Sequence, residues 1–226
     1  MADFLLPRLI RDVADGLTAK GDDLGTREPR SVKFEELKAL LLDTGKRDSV
    51  ATLTGAGGFG KTTLACALCD DDDVILAFSD GILWTTLGEQ ANITGALTKL
   101  YARLTNKDVR PVFTDMEDAA AAFAERLQHK NCLIVIDDVW NLDHLKPFLR
   151  GGADCARLIT TRMIDVAGEV TAKPVAVDEM TSDEAVQMLV SRLKTRPPDS
   201  EPFRLLARRL GEWPLLHLCC RALGPA

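Results

Sequence analysis

The chain has 226 residues, 46% of them hydrophobic and 27% charged, with 28 basic against 34 acidic side chains and a formal charge of −6. That balance excludes wholesale disorder, and a net-acidic chain is poorly suited to holding nucleic acid through phosphate contacts. No apolar run reaches the roughly 18 residues of a membrane span, the start lacks a signal-peptide pattern, and six cysteines argue against a disulfide scaffold, so free thiols in a reducing, cytoplasmic setting are expected.

In chain order, Phe4, Leu5, Leu6, Leu9, Ile10, Val13 and Leu17 make one stripe of a short helix, and residues 21–26 form a turn-rich linker. Leu37, Leu40 and Leu41 mark a helix over 34–42, with Gly45 as its C-cap. From Asp48 onward β-prone runs alternate with helical stretches. Strands are expected at 49–54, 81–87, 131–136, 157–161 and 173–177, and helices at 61–68, 93–104, 116–129 and 142–149. Thr114 and Glu117 have capping-box spacing, and the acidic run 70–73 reads as an exposed loop, because acids oppose the dipole of a helix C-terminus. This alternation implies a parallel sheet covered on both faces, with the apolar run Leu133, Ile134, Val135 and Ile136 in a central strand. Beyond Val177 the pattern is all helical. Thr181 and Glu184 form a second capping box, Pro197 and Pro198 break the helix they open, and two helices follow near 202–210 and 214–223.

The chemistry concentrates in Gly55, Ala56, Gly57, Gly58, Phe59, Gly60, Lys61, Thr62 and Thr63, which satisfy G-x-x-x-x-G-K-[ST] between an expected strand and an expected helix. Glycines let successive amide groups converge on phosphate oxygens, and a helix beginning at Lys61 points its positive end at them. The Lys61 ammonium reaches the terminal phosphates, and the Thr62 hydroxyl ligates Mg²⁺. Asp137 and Asp138 follow the apolar strand, where a carboxylate lies beyond the carboxyl end of the sheet. Asp137 is the expected magnesium partner. Asp138 either polarises an attacking water or caps the next helix.

Four segments in order resemble the NB-ARC domain of the signal-transducing ATPases with numerous domains: residues 55–65 (GAGGFGKTTLA), 133–140 (LIVIDDVW), 156–162 (ARLITTR) and 211–215 (GEWPL). The resemblance covers about 30–223 and is similar to bacterial members that carry C-terminal repeats. It implies a P-loop NTPase three-layer α/β sandwich over 30–178, preceded by an N-terminal helix and linker over 1–29. A small all-helical subdomain over 179–226 would follow, cut short before a winged-helix part. It further implies Arg162 as a sensor of the γ-phosphate, Pro214 as an adenine contact and Arg30 in an N-terminal arm near the base. Ser31, Val32 and Lys33 stand where the family usually carries acids after that arginine. Phe78 and Trp84 match positions around the second strand, where core packing is expected. The implied function is an ADP/ATP switch with slow Mg²⁺-dependent hydrolysis, joined to other domains of a longer chain and to further copies of itself, with no nucleic acid or membrane partner.

Two alternatives use the same phosphate loop: a small-molecule kinase, for which no arginine-rich lid is evident, and a scaffold that keeps ADP as a structural ligand. Asn106, Lys107 and Asp108 do not complete a guanine-reading motif, because Val109 follows. Cys66 and Cys69 lack the second pair that zinc would require, and His129, His144 and His217 lie on separate segments without a nucleophile partner. The basic excess late in the chain reads as a solvated helical surface or a contact for a further domain.

Overall fold

The computed structural model describes residues 29–43, 49–105, 113–170, 174–190 and 199–214, with the side chains of 29–31 left out. The expected helix within 4–17, the Gly45 cap, the 106–109 segment and the chain beyond Pro214 lie outside these residues. Five parallel strands form one sheet in the order β2-β3-β4-β1-β5: β1 Val50–Thr54, β2 Ile82–Thr86, β3 Leu133–Val139, β4 Ala156–Thr161 and β5 Val175–Ala176. Between them run α1 Pro29–Leu42, α2 Lys61–Cys69, α3 Asp72–Ala77, α4 Ile93–Thr105, α5 Met116–Arg126, α6 Leu142–Leu145, a 3₁₀ turn Lys146–Leu149 and α7 Ile164–Val170. Helices α8 Ser182–Val190 and α9 Glu201–Arg209 follow.

The period-two alternation of strands explains why both faces of the sheet are apolar. In β3, Leu133 and Val135 face a core shared with Leu37, Leu53, Leu64 and Leu68, whereas Ile134 and Ile136 face Leu97, Leu100, Phe123 and Phe148 on the other side. An interior strand with both faces covered reads as a continuous hydrophobic run, as expected of 133–136. Phe78 and Trp84 pack into the first of these cores, matching the reading of both as packing residues. Met180, Ala185, Leu189 and Ala207 form a separate small core between α8 and α9.

Local signals account for most boundaries, with three corrections. The acidic run is a helix start: Asp71 caps α3 by accepting from the amides of Asp73 and Val74, and Lys38 of α1 pairs with Asp71 and Asp73 at 2.8 and 2.6 Å. Acids there favour the helix dipole instead of opposing it. In α5 the cap is Asp115, whose carboxylate accepts from the Asp118 amide at 2.8 Å, in place of Thr114. The helix after β3 is capped by Asn141, which removes capping from the roles open to Asp138. The second capping box forms as expected, with the Thr181 amide donating to Glu184 at 2.7 Å. No described helix is long and apolar enough to cross a membrane.

Candidate functional site

Strand β1 delivers the glycine loop to the carboxyl edge of the sheet, and α2 begins at Lys61. Glycine is required at Gly55 on two counts: φ is +144°, and a Cβ there would lie 2.1 Å from the carbonyl oxygen of Val177. At Gly57 a Cβ would lie 2.6 Å from a terminal nitrogen of Arg162. The missing side chain is therefore what lets the guanidinium rest against the loop. Phe59 is half-buried at the loop and Thr63 follows Thr62 on the first turn of α2.

Lys61 is buried, and its ammonium donates to the carbonyls of Gly55 and Ala56, both at 2.8 Å. Burial lowers its pKa from the ordinary lysine value, and the nearby Arg162 charge lowers it further, against a smaller opposing pull from Asp138 and Asp137. The amine is thus held where a second cation already stands. This is an arrangement that an incoming polyanion relieves.

Asp137 is buried at the centre of a hydroxyl network. One of its carboxylate oxygens accepts from Thr62 at 2.8 Å and from Thr160 at 2.7 Å, and the other accepts from Thr86 at 3.4 Å. The Thr160 hydroxyl in turn accepts from the Asp138 amide at 2.9 Å. Asp138 has φ +53°, beside the register shift between β3 and β4, a left-handed conformation that Asp tolerates better than most residues. Its side chain turns toward Arg162, with the nearest N–O distance 3.5 Å. Arg162 also stacks over Trp140, its guanidinium carbon 5.1 Å from the ring centroid.

Lys61, Thr62, Asp137, Asp138 and Arg162 are therefore brought together around Gly55–Gly60, as the motifs require. Pro214 is buried, directly after Trp213, whose indole donates to the Gly57 carbonyl at 2.9 Å. Arg30 lies in the first turn of α1, and its side chain is outside the described residues. Lys33 bonds to the Ala176 carbonyl and pairs with Asp178 at 2.8 Å. The cation is on the arm and the acid follows β5.

Four contributors escape local reading: Thr86, Thr160, Trp140 and Trp213. The strand-end positions of Thr86 and Thr160 were the available signal, since hydroxyls at that edge face whatever the loop binds. The donor set fits a magnesium-bound polyphosphate. A backbone cradle that a Cβ would fill faces a lysine and an arginine, and a threonine hydroxyl shares a carboxylate oxygen. Among the described residues no group of three or more His, Cys, Asp or Glu side chains is placed to hold a metal, so an ion here would depend on ligand oxygens and water. Cys66 and Cys69 are free thiols pushed up to about 12, by burial first and then by nearby negative groups, which suits packing and not redox chemistry.

A family model described as the NB-ARC domain matches residues 30–197. A putative disease resistance RPP13-like protein from Arabidopsis thaliana is 29% identical over 199 residues, covering 83% of this chain and 18% of that protein. The regulatory protein AfsR of Streptomyces griseus is 30% identical over 165 residues, covering 70% of this chain and 16% of that protein. The chain thus spans under a fifth of either relative. A solved signal transduction ATPase with numerous domains from Pyrococcus horikoshii, which carries a tetratricopeptide repeat sensor, shares the fold. Its TM-score is 0.55 at 16% identity, over 89% of this chain and 30% of that one.

Proposed function

Because the chain belongs to the NB-ARC family of P-loop ATPases, we propose that it binds ADP and ATP as a molecular switch and hydrolyses ATP slowly. The observation that carries this reading is the convergence of Lys61, Arg162 and the Thr62–Asp137 pair on one glycine loop. Lys61 exchanges two loop carbonyls for phosphate oxygens. Thr62 and Asp137 would hold Mg²⁺, which when bound neutralises developing phosphate charge. Arg162 forks onto the terminal phosphate from its place over Trp140. Asp138 accepts the proton of an attacking water. Its carboxylate is shared with Arg162 and has a short reach, so turnover is slow. Pro214 and Arg30 serve the base end.

Loss of the γ-phosphate changes what Arg162 touches and shifts the helical unit over 179–226 against the core over 30–178. A ligand drives such a shift only through different contacts in the two states. Other domains of a longer chain and further copies of itself receive the change in a cytoplasmic setting, without direct nucleic-acid or membrane contact. The test is steady-state ADP release together with exchange of labelled ADP on the purified chain. Slow release with measurable exchange supports the switch. Acceptor-stimulated fast turnover indicates a small-molecule kinase, and bound ADP that never exchanges indicates a structural ligand.

A further inference from the structure

The peptide joining Gly57 to Gly58 sits in the middle of the loop, and neither residue has a side chain to fix its direction. Gly58 has φ +80°, a conformation from which a glycine peptide rotates at little steric cost. The bond that fixes this peptide within the described residues comes from outside the loop, across 156 positions of sequence: the indole N–H of Trp213 donates to the Gly57 carbonyl at 2.9 Å. In a planar trans peptide the C=O and N–H point in opposite directions. Drawing the Gly57 oxygen toward Trp213 therefore turns the Gly58 N–H away from it.

Trp213 is itself held. Its ring meets Phe59 edge-on, with centroids 5.9 Å apart at 69°. The preceding Glu212 accepts the Met180 amide at its carbonyl at 3.0 Å and a bond from Ser182 at its carboxylate. Pro214 is buried immediately after it. The indole is thus carried by the unit built from α8 and α9, yet it acts on a phosphate-loop amide.

Resting on the nucleotide reading above, we propose that Trp213 is a positioning residue that holds the Gly58 amide toward the β-phosphate, so that diphosphate and triphosphate affinity depends on the helical unit staying docked. The same bond makes the loop a reporter of that unit. Displacing α8 and α9 releases the peptide and weakens the grip on every ligand with a β-phosphate, while a monophosphate, which lacks that contact, is indifferent.

Trp213→Phe keeps a ring against Phe59 and deletes the N–H. Calorimetric titration with ADP and with AMP, on wild type and variant, should show ADP weakened about 3- to 10-fold, the range of one ordinary hydrogen bond, with AMP affinity unchanged. Benzothienylalanine at position 213, the same shape as Trp without the N–H, should reproduce the ADP loss and guards against a folding defect in the first variant. Unchanged ADP affinity with either replacement overturns the proposal. So does an equal loss for ADP and AMP, which would make Trp213 only a packing contact. Wild type that binds neither nucleotide overturns the nucleotide reading first and this proposal with it.

Discussion

Lys61 and Arg157 are both buried cations that donate to main-chain carbonyls, and they lie at opposite ends of the same sheet. Arg157, the second residue of β4 and fully buried, spreads its guanidinium over the carbonyls of Phe148, Arg150, Gly151 and Cys155. Those carbonyls belong to the end of the 3₁₀ turn and the bend that leads into β4, so the charge knits a loop to the sheet. Lys61 binds the carbonyls of Gly55 and Ala56 in a loop held open by glycine, with a second cation alongside and a hydroxyl-lined carboxylate across from it. The contrast teaches that burial of a charge does not make a site. What matters is whether its partners can be exchanged for a ligand, and only the Lys61 end offers a surrounding that gains from an added anion.

The comparison breaks most sharply through methionine at each position. Lys61→Met should abolish nucleotide-dependent thermal stabilisation, which at ligand a hundredfold above Kd amounts to about 2.7 kcal/mol in the wild type. The unliganded melting point should move little, because the loss of two carbonyl bonds is offset by removal of a buried ammonium held beside Arg162. Arg157→Met should do the reverse, lowering unliganded stability by roughly 3 kcal/mol because several buried acceptors lose their donor, while the nucleotide increment survives. Melting curves with and without ADP read both. Equal behaviour of the two variants would erase the distinction.

Asp137→Asn comes next. It keeps the side-chain shape and one oxygen to accept from Thr62 and Thr160, turns the oxygen facing Thr86 into a donor, and removes the charge, so magnesium-dependent tightening of ATP should fall about 10- to 100-fold, with magnesium-free affinity little changed. Isothermal titration at several magnesium concentrations measures it. Thr160→Val is milder, at about 1 kcal/mol of stability, since it takes one donor from Asp137 and one acceptor from the Asp138 amide.

The smallest effect is a pH dependence. Lys61 has a lowered pKa in the unliganded fold, through burial and then Arg162, and phosphate binds its protonated form. Affinity should therefore be fully present below that lowered pKa and fall as pH rises through it, with proton uptake on binding in this window. The unliganded fold, by the opposite sign, gains stability as pH rises there, because the unfolded lysine still holds its proton. Calorimetry in buffers of different ionisation enthalpy detects the uptake.

What the sequence made legible was what is written locally. The phosphate loop, the apolar strand ahead of Asp137 and Asp138, and the Thr181–Glu184 capping box each fit within a window of a few residues. Their period or spacing has one physical meaning. The acidic run 70–73 shows how that fails: four acids oppose a helix end and favour a helix start, and the folded chain decides through the Asp71 cap and the partner Lys38, some 33 positions away. Thr160 reaches Asp137 across 23 positions and Trp213 reaches Gly57 across 156. Nothing in the flanking residues of either announces the contact: strand pairing creates the first, and the docking of the segment after α9 on the loop creates the second. Arg157 likewise reads as one charge entering a strand until the turn it holds is folded beside it.

Every role assigned above depends on the glycine loop with Lys61 being a polyphosphate cradle for an adenine nucleotide. The most direct measurement is calorimetric titration of folded wild type and Lys61→Met with ADP in the presence of Mg²⁺. Saturable, one-to-one binding is expected in the wild type and none in the variant. Absence of heat in the wild type, or the same isotherm for both proteins, would contradict it.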